Sequence, residues 1–332
     1  MNGLAIFGAG SWGTALAIVL APKFEAVRLW ARDQALAAQI EQTHENSRYL
    51  PGFQIPENVL CSSVPADVLQ GAGIVLSAVP SDHTRALFER ICPHVSGSMS
   101  FVSATKGLEN RTLMRMSEVI ADALRPQFMP RVAVLSGPTF AKEVAAGEPA
   151  AVVIASEDAA LAAAVQSAFS SPTFRLYTSG DVVGVEIAAA LKNVIAIGAG
   201  ICKGLGLGSN SVAALVTRGL AELTRLAVAL GGKPRTLAGL AGLGDLVLTA
   251  TGDLSRNRFV GVQLGAGKPL PEILAAMTQV AEGVSTCLAA RDLARRAGIE
   301  MPIVEKMHEI LYEKKPAATA IRELMERPLT SE

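Results

Sequence analysis

The strongest constraint on the fold lies at the start of the sequence, where an apolar run leads into three closely spaced glycines. Residues 2–8 (NGLAIFG) have the composition of a buried strand, and residues 13–21 (GTALAIVLA) have that of an apolar helix. They are joined by Gly8, Gly10 and Gly13, which form a GxGxxG pattern. At such a junction the glycines permit a tight turn, a close approach of pyrophosphate to the backbone, and close packing of the helix on the strand. The pattern predicts a dinucleotide-binding loop whose helix N–H groups face phosphates; an ordinary glycine turn is the alternative.

The same segment has a second interpretation, because residues 1–22 contain no charged side chain. A signal peptide or a membrane anchor has a long apolar stretch of this kind. It would, however, begin with a basic region, and glycines would not interrupt it. No other stretch reads convincingly as a membrane-spanning helix, so we expect no integral membrane segment.

Short apolar runs alternate with helical patterns over the first half of the chain. Besides 2–8, the predicted strands are 26–31, 73–79, 99–105, 132–137, 150–155 and 173–177, and helical stretches such as 82–91 and 112–124 lie between them. Alternation of this kind builds a parallel sheet with helices on both faces. We therefore predict an α/β protein with an N-terminal Rossmann-type dinucleotide-binding domain at 1–179.

Beyond residue 180, strand-like runs become scarce and helical patterns dominate. A long alanine-rich helix is predicted at 181–204, followed by helices at 210–230, 255–266, 283–298, 302–312 and 316–326. The second half therefore reads as an all-helical, substrate-binding domain at 180–332, with the boundary near Ser179-Gly180.

The charge balance excludes some classes of partner. Thirty Lys and Arg side chains oppose thirty Asp and Glu side chains, so the formal net charge is zero. This balance argues against a protein that binds nucleic acid or an anionic membrane through a broad basic surface. Four scattered cysteines form no CxxC pair and four scattered histidines have no metal-ligand spacing. We therefore expect no disulfide framework, no metal site and a cytoplasmic location.

The residue after the second predicted strand bears on cofactor choice, because this strand end contacts the adenosine ribose in dinucleotide-binding folds. The candidates here are Arg32 and Asp33. An arginine accommodates a 2′-phosphate and favours NADP(H), whereas an aspartate binds a free 2′-hydroxyl and favours NAD(H). We favour NADP(H) and leave NAD(H) open; the alternative for Arg32 is a solvated loop cation.

Two later strand ends carry polar residues at the edge where ligands bind open α/β sheets. Lys106 follows the strand at 99–105 and would bind an anionic substrate; a solvated loop lysine is the alternative. Gly137 begins a sharp turn at the next strand end, where Thr139 offers a hydroxyl group.

Charged residues make up only 18% of the chain, so a charge inside an apolar segment stands out. Lys192 is the only charge between Glu186 and Lys203. A lysine there is costly to bury unless it is paired or functional, and burial favours the neutral amine that suits acid–base chemistry near neutral pH. Its expected partner is Asp245, which lies in a glycine-rich apolar run. The alternatives are a lysine that extends to solvent and an aspartate that caps a helix.

A predicted helix start near residue 255 suits a phosphate group. Ser255 is a candidate N-cap, and Arg256 and Arg258 place two cations beside the first N–H groups of the helix. A normal surface helix start is the alternative.

Together these segments resemble the NAD(P)-dependent glycerol-3-phosphate dehydrogenase family of bacterial type, over nearly the whole chain. The resemblance is carried, in matching order and spacing, by 8–17 (GAGSWGTALA), 103–109 (SATKGLE), 135–147 (LSGPTFAKEVAAG), 191–200 (LKNVIAIGAG), 217–222 (TRGLAE), 242–249 (GLGDLVLT), 255–258 (SRNR) and 280–286 (VAEGVST). The resemblance implies reduction of dihydroxyacetone phosphate to sn-glycerol 3-phosphate, a precursor of phospholipid head groups. The implied partner is thus a small triose phosphate, and a homodimer stays open.

The resemblance also implies residue roles. Lys192 would be the proton donor and acceptor, supported by Asp245. The substrate would contact Lys106, Gly137, Thr139, Lys192, Asp245, Ser255, Arg256 and Asn257. The cofactor would contact Gly8, Gly10, Ser11, Trp12, Gly13, Arg32, Lys106, Ala141, Arg256, Val280 and Glu282. Family members vary at the position of Arg32, so the resemblance does not decide between NADP(H) and NAD(H).

Two other functions are compatible with part of this pattern. A ketopantoate or hydroxyacyl reductase also combines a glycine-rich N-terminus with a helical C-terminal half, but it lacks the motifs at 242–249 and 255–258. A non-catalytic dinucleotide sensor would need the glycines, but it would need neither Lys192 nor Asp245.

Overall fold

The computed structural model describes residues 3–277 and 279–329. The chain divides into two compact units. The first comprises the chain up to Lys106 together with Met114–Glu186, and the second comprises Gly107–Leu113 together with the chain from Ile187 onward. The functional domains predicted at 1–179 and 180–332 stay a prediction, since compactness alone assigns no function to either unit.

The first unit contains every strand described. These are β1 (Gly3–Phe7), β2 (Ala26–Trp30), β3 (Glu45–Asn46), β4 (Leu50–Gln54), β5 (Val59–Ser62), β6 (Ala72–Ser77), β7 (Ser100–Ser103), β8 (Arg131–Ser136), β9 (Ala150–Ala155) and β10 (Phe174–Ser179). Eight of them form one sheet in the order β10-β9-β8-β7-β6-β1-β2-β5. Its neighbouring strands run parallel, except that β8 and β9 run antiparallel. The predicted Rossmann-type sheet is thus confirmed with one reversed strand pair.

Helices cover both faces of this sheet. Those of the first unit are α1 (Ser11–Leu20), α2 (Gln34–Thr43), α3 (Pro65–Leu69), α4 (Ser81–Ile91), α5 (Met116–Leu124), α6 (Ala141–Ala145) and α7 (Ala159–Phe169). Successive side chains of a strand point to opposite faces. In β1, Leu4 and Ile6 accordingly join one core, while Ala5 and Phe7 join the other. A strand covered on both faces needs apolar residues throughout, which explains its continuous apolar run.

The second unit is helical in the part of the chain that the structure describes. Its helices are α8 (Val182–Gly204), which begins in the first unit, α9 (Ser209–Ala229), α10 (Pro234–Leu237), α11 (Asp245–Thr251), α12 (Arg256–Gly265), α13 (Leu270–Ala275), α14 (Glu282–Ala297), α15 (Pro302–Tyr312) and α16 (Ala317–Met325). A five-residue π-helical turn, Leu240–Gly244, leads directly into α11. The predicted all-helical C-terminal half is therefore confirmed.

Small residues let α8 and α12 touch through their backbones. A Cβ atom on Gly200 would lie 2.1 Å from the Arg258 carbonyl oxygen, and one on Gly261 would lie 2.0 Å from the Ile197 carbonyl oxygen. Neither position can carry a side chain without moving a helix. Gly200 of α8 and Gly261 of α12 thus fix where the start of α12 lies relative to the buried middle of α8, which carries Lys192.

Among the residues that the structure describes, one helix, Val182–Gly204, is long and apolar enough to cross a membrane by length and composition. Within the fold, 94% of its most apolar stretch is buried. The segments Pro234–Thr251 and Arg256–Gly265 pass the same test only together, across a bend of 48°.

Candidate active site

The glycine-rich loop lies between β1 and α1, as predicted. Gly8 has a φ of +118°, and a Cβ there would lie 2.9 Å from the Ala78 backbone, so only glycine fits. A Cβ on Gly13 would lie 1.8 Å from the Gly8 carbonyl oxygen, which explains why α1 can start so close to the strand. The turn therefore requires two of its three glycines for packing reasons alone.

Gly10 is different, because packing does not require it. A Cβ built on Gly10 would meet nothing within 4 Å, so the backbone is open on that side. Gly10 is also the N-cap of α1 and offers no side chain to the N–H groups of the first turn. Beside it, the buried indole N–H of Trp12 has no partner among the described residues. An open backbone with unused donors fits the diphosphate of a dinucleotide.

Arg32 and Asp33, which follow β2, differ in the contacts that their side chains make. Asp33 is the N-cap of α2, where its carboxylate accepts hydrogen bonds from the backbone N–H groups of Ala35 and Leu36 at 2.9 and 3.4 Å. The same carboxylate pairs with Arg48 at 3.1 Å. Arg32 is exposed, and no described residue forms a hydrogen bond or an ion pair with it. Asp33 therefore has a structural use, whereas Arg32 remains available to a ligand.

Three predicted substrate residues meet within the first unit. The ammonium group of Lys106 donates to the Gly137 carbonyl oxygen at 3.0 Å and lies 3.4 Å from the Thr139 hydroxyl. Gly137 has a φ of +152°, and a Cβ there would lie 2.9 Å from the Val152 backbone, so the turn after β8 needs glycine. Lys106 is thus held at the carboxyl edge of the sheet, and the interpretation as a merely solvated lysine is wrong. Ala141 begins α6 next to this turn and packs against the core below.

The second unit holds a buried ion pair. The Lys192 ammonium donates to Asp245 Oδ1 at 2.5 Å and to the Thr249 hydroxyl at 2.7 Å. Lys192 is 4% exposed and Asp245 is fully buried. Both alternatives from the sequence are therefore wrong: Lys192 does not extend to solvent, and the N-cap of α11 is Gly244 rather than Asp245.

The π-helical turn explains how Asp245 comes to lie beside Lys192. A Cβ on Gly242 would lie 2.0 Å from the Leu237 carbonyl oxygen, so this turn closes only with glycine there. One turn later, Thr249 donates its hydroxyl hydrogen to the Asp245 carbonyl oxygen at 2.6 Å. Its oxygen is thereby directed to accept from Lys192. Thr249 is a site residue that the sequence analysis missed, although its spacing of four from Asp245 places both on one helix face.

The start of α12 carries the predicted phosphate residues. Ser255 is its N-cap, and its hydroxyl accepts from the Arg258 N–H at 3.2 Å. Arg256 is exposed at the first helical position. Asn257 is buried, and its Oδ1 accepts from the Gly283 N–H at 2.9 Å. The amide nitrogen of Asn257 is the end that can face a substrate, since its oxygen is used to hold α14.

Gly283, in the first turn of α14, packs against residues of both α8 and α12. The sequence did not predict this role. A Cβ there would lie 2.6 Å from the Asn193 carbonyl oxygen and 2.8 Å from the Asn257 side chain. It therefore packs α14 directly on the residue that follows Lys192. The neighbouring Glu282 begins α14, and Val280 lies 53% exposed just before it. Gly283 thus brings the start of α14 against Asn193 and Asn257, the residues that follow Lys192 and Arg256 in the chain.

Comparison with known proteins gives two family matches. The model of the NAD-dependent glycerol-3-phosphate dehydrogenase N-terminus matches residues 3–162. The model of the NAD-dependent glycerol-3-phosphate dehydrogenase C-terminus matches residues 181–322.

Individual relatives agree with these matches. A glycerol-3-phosphate dehydrogenase (NAD(P)+) from Koribacter versatilis is 58% identical over 334 residues, which cover 100% of this chain and 99% of the relative. The crystal structure of glycerol-3-phosphate dehydrogenase from Coxiella burnetii superimposes with a TM-score of 0.94 at 40% identity, covering 98% of this chain and 99% of that one. A ketopantoate reductase from Ralstonia eutropha has a TM-score of 0.62 at 20% identity, with 96% and 99% covered, and shares the fold alone.

Proposed function

The chain belongs to the NAD-dependent glycerol-3-phosphate dehydrogenase family, and from that premise we propose that Lys192 is the proton donor of its reaction. The enzyme reduces dihydroxyacetone phosphate to sn-glycerol 3-phosphate with NAD(P)H. The observation that carries the proposal is the buried contact of Lys192 with Asp245 and Thr249, at 2.5 and 2.7 Å. A buried ammonium held by two partners is a fixed acid rather than a mobile surface charge.

The reaction needs a hydride and a proton. A bound nicotinamide supplies the hydride to C2 of the triose phosphate. Negative charge then develops on the C2 oxygen, and the Lys192 ammonium stabilises this charge and transfers a proton to it. In the reverse direction, neutral Lys192 takes the proton of the C2 hydroxyl. Asp245 and Thr249 keep Nζ in one place in both directions, so that little reorganisation is needed at the moment of transfer.

Substrate binding is assigned to two groups of residues. Lys106, with Gly137 and Thr139, binds the substrate from the edge of the sheet, supported by the hydrogen bond of 3.0 Å that fixes the lysine. Ser255, Arg256 and Asn257 bind the phosphate at the start of α12, where helix N–H groups add to the arginine charge. A phosphate anchor remote from C2 raises the rate by orienting C2, because the reacting atoms then meet in one geometry.

The cofactor is assigned to the glycine-rich loop. The backbone at Gly10 and the side chains of Ser11 and Trp12 bind the dinucleotide, and Ala141, Val280 and Glu282 contact its nicotinamide side. Lys106 and Arg256 contribute to both ligands. NADP(H) is preferred over NAD(H), because Asp33 caps α2 and pairs with Arg48, while exposed Arg32 can pair with a 2′-phosphate.

The cellular setting follows from this chemistry. The product is a head-group precursor, so the enzyme feeds glycerophospholipid synthesis. We place the enzyme in the cytoplasm, where it acts on a small triose phosphate. The balanced charge of the chain is in keeping with a small-molecule partner rather than nucleic acid.

Initial rates of dihydroxyacetone phosphate reduction, followed by the absorbance of NADPH and of NADH, test these assignments together. We expect kcat/KM to be higher with NADPH, and Arg32→Ala to reduce that preference about tenfold, the loss of roughly one charge-assisted hydrogen bond. Arg90→Ala, which removes an exposed arginine from α4, is the control. An Arg32→Ala variant with the parental NADPH-to-NADH ratio would contradict the cofactor assignment and leave the Lys192 assignment standing.

A further inference from the structure

A buried asparagine contacts the glycine-rich loop from below. Asn46 lies in β3 and is fully buried. Its amide nitrogen donates to the Ala9 carbonyl oxygen at 2.9 Å and to the Thr14 hydroxyl at 2.8 Å. Its amide oxygen accepts from the Tyr49 N–H at 3.1 Å. Because a carbonyl only accepts and an N–H only donates, these partners fix which end of the amide faces the loop.

The contact with Ala9 bears directly on the neighbouring donor. The Ala9 carbonyl and the Gly10 N–H belong to one planar trans peptide group and point in opposite directions. Because Asn46 binds the Ala9 carbonyl oxygen, the Gly10 N–H points away from Asn46. The backbone at Gly10 is also the open part of the loop, where an added Cβ would meet nothing within 4 Å.

A second hydrogen bond ties the same segment to the start of α1. The Ser11 hydroxyl donates to the Tyr49 carbonyl oxygen at 2.7 Å. Asn46 and Tyr49 thus contact the loop and its helix at Ala9, Ser11 and Thr14. Glycine is the most flexible residue, so a loop with Gly8 on one side of Ala9 and Gly10 on the other needs such external contacts to keep one conformation.

We propose that Asn46 is a positioning residue for the dinucleotide, which acts by holding the Ala9–Gly10 peptide group in the orientation that presents the Gly10 N–H to the diphosphate. The inference rests on the proposed use of the loop for NAD(P)H. It adds the segment 44–50 to the cofactor site as support, without direct contact of Asn46 with the ligand. Pre-organised donors bind more tightly because the loop does not have to be ordered when the ligand arrives.

The chain offers a matched control at the other end of α1. Asn58 donates its amide hydrogens to the carbonyl oxygens of Ala21 and Phe24, at 2.9 and 3.0 Å, just after α1. Asn58→Ala and Asn46→Ala each remove two donated hydrogen bonds within the first unit, and Asn46→Ala also removes the one accepted from Tyr49. Only Asn46 touches the glycine-rich loop.

The test is direct titration of the full-length protein with NADPH, followed by tryptophan fluorescence, in the absence of triose phosphate. We expect Asn46→Ala to raise Kd and KM for NADPH about tenfold, with kcat at saturating NADPH within about twofold of the parent. Asn46→Leu keeps about the same size but has no donor for Ala9, and it should weaken NADPH binding similarly. Asn58→Ala should lower the melting temperature without changing Kd.

The outcomes separate a positioning role from a structural one. An NADPH Kd within twofold of the parent for both Asn46 variants, or an equal rise in Asn58→Ala, would overturn the proposal while leaving the proposed function intact. If Asn46→Ala does not fold, Asn46→Leu decides. Failure of the parent chain itself to bind either dinucleotide would instead overturn the proposed function, and with it this inference.

Discussion

At the scale of single residues, the chemistry depends on keeping one charge buried and paired. Lys192 and Asp245 compensate each other, and Thr249 supplies a neutral third group. Burying such a pair adds little net stability, but removing one partner leaves the other charge without compensation and costs about 3–5 kcal/mol. The arrangement therefore serves position more than stability.

We expect Lys192→Met to lower kcat by about 10²- to 10⁴-fold, the usual contribution of a general acid, while NADPH still binds. Lys192→Arg keeps the charge beside Asp245, yet a guanidinium holds its proton too tightly to act as the acid, so kcat stays low. Steady-state rates and NADPH titration measure both effects. Lys203→Met, at an exposed position in the last turn of α8, is the matched control. Turnover near the parental rate in Lys192→Met would remove Lys192 from the mechanism.

At the scale of elements, periodicity in the sequence predicted most of the fold but not its irregular parts. The predicted strand at 26–31 and helix at 302–312 match Ala26–Trp30 and Pro302–Tyr312. The edge strand β5 and the β3–β4 hairpin both escaped prediction. The polar and turn-forming residues of the hairpin lack strand alternation. Helix α5 begins at Met116 rather than 112, since Leu113 has a φ of +64° and Arg115 is the N-cap. No local pattern specifies that β9 runs antiparallel to β8, since strand direction depends on long-range pairing.

Some residues of the site could be predicted from the sequence, and others could not. Lys192 and Asp245 could be found from sequence, because a charge inside an apolar segment is conspicuous. Thr249 and Asn46 could not, because a hydroxyl in a helix and an asparagine in a polar stretch are ordinary. Their importance comes from partners 57 and 37 residues away in the chain.

The π-helical turn before α11 should tolerate a methyl group at one glycine and not at another. Gly242→Ala places Cβ 2.0 Å from a backbone oxygen, so we expect a loss of about 1–3 kcal/mol in unfolding free energy and a lower kcat, since the turn positions Asp245. Gly239→Ala brings Cβ only to 3.4 Å from the nearest atom and should behave like the parent. Urea unfolding and kcat measure both variants. Parental stability and kcat in Gly242→Ala would show that the turn does not set the position of Asp245.

Helix α15 begins on a buried carboxylate that should make stability depend on pH. Glu222 of α9 accepts from the N–H groups of Ile303 and Val304 at 2.8 and 3.3 Å. Burial raises the pKa of Glu222 from its usual 4.5 to about 7, although these hydrogen bonds oppose the shift. Between these values the folded protein keeps a proton that the unfolded chain has lost. The contribution of Glu222 to the free energy of unfolding is therefore fully present below pH 4.5 and is lost as the pH rises to about 7. This loss lowers the free energy of unfolding by about 3 kcal/mol.

Replacing this carboxyl should remove that part of the pH dependence. Glu222→Gln keeps an oxygen that accepts from the start of α15 and has no proton to lose. We expect the difference in unfolding free energy between pH 5 and pH 8, measured with urea, to be smaller in Glu222→Gln than in the parent. Glu157→Gln, at an exposed position, should leave that difference unchanged. An identical pH dependence in parent and Glu222→Gln would mean that Glu222 is ionised alike in both states.

At the scale of the whole molecule, the positions of the four thiols determine which of them can react. The four cysteines are all free, and three of them, Cys61, Cys202 and Cys287, are buried. Burial raises the pKa of Cys61 and of Cys287 to about 12, with nearby glutamates adding to the shift. A thiol reacts as the thiolate, so these side chains should be inert in the folded protein. The fold thus depends on no disulfide bond.

A thiol reagent such as Ellman's reagent therefore should distinguish the folded from the unfolded chain. In the native protein at pH 8, we expect at most one thiol to react quickly, that of the partly exposed Cys92, and four to react in guanidinium chloride. Cys92→Ser should abolish the fast native reaction and leave three thiols after unfolding. Because all four cysteines are free, a reductant should not change the melting temperature of the parent. Rapid reaction of two or more thiols in the native state would mean that the cores around Cys61 and Cys287 open on the timescale of the assay.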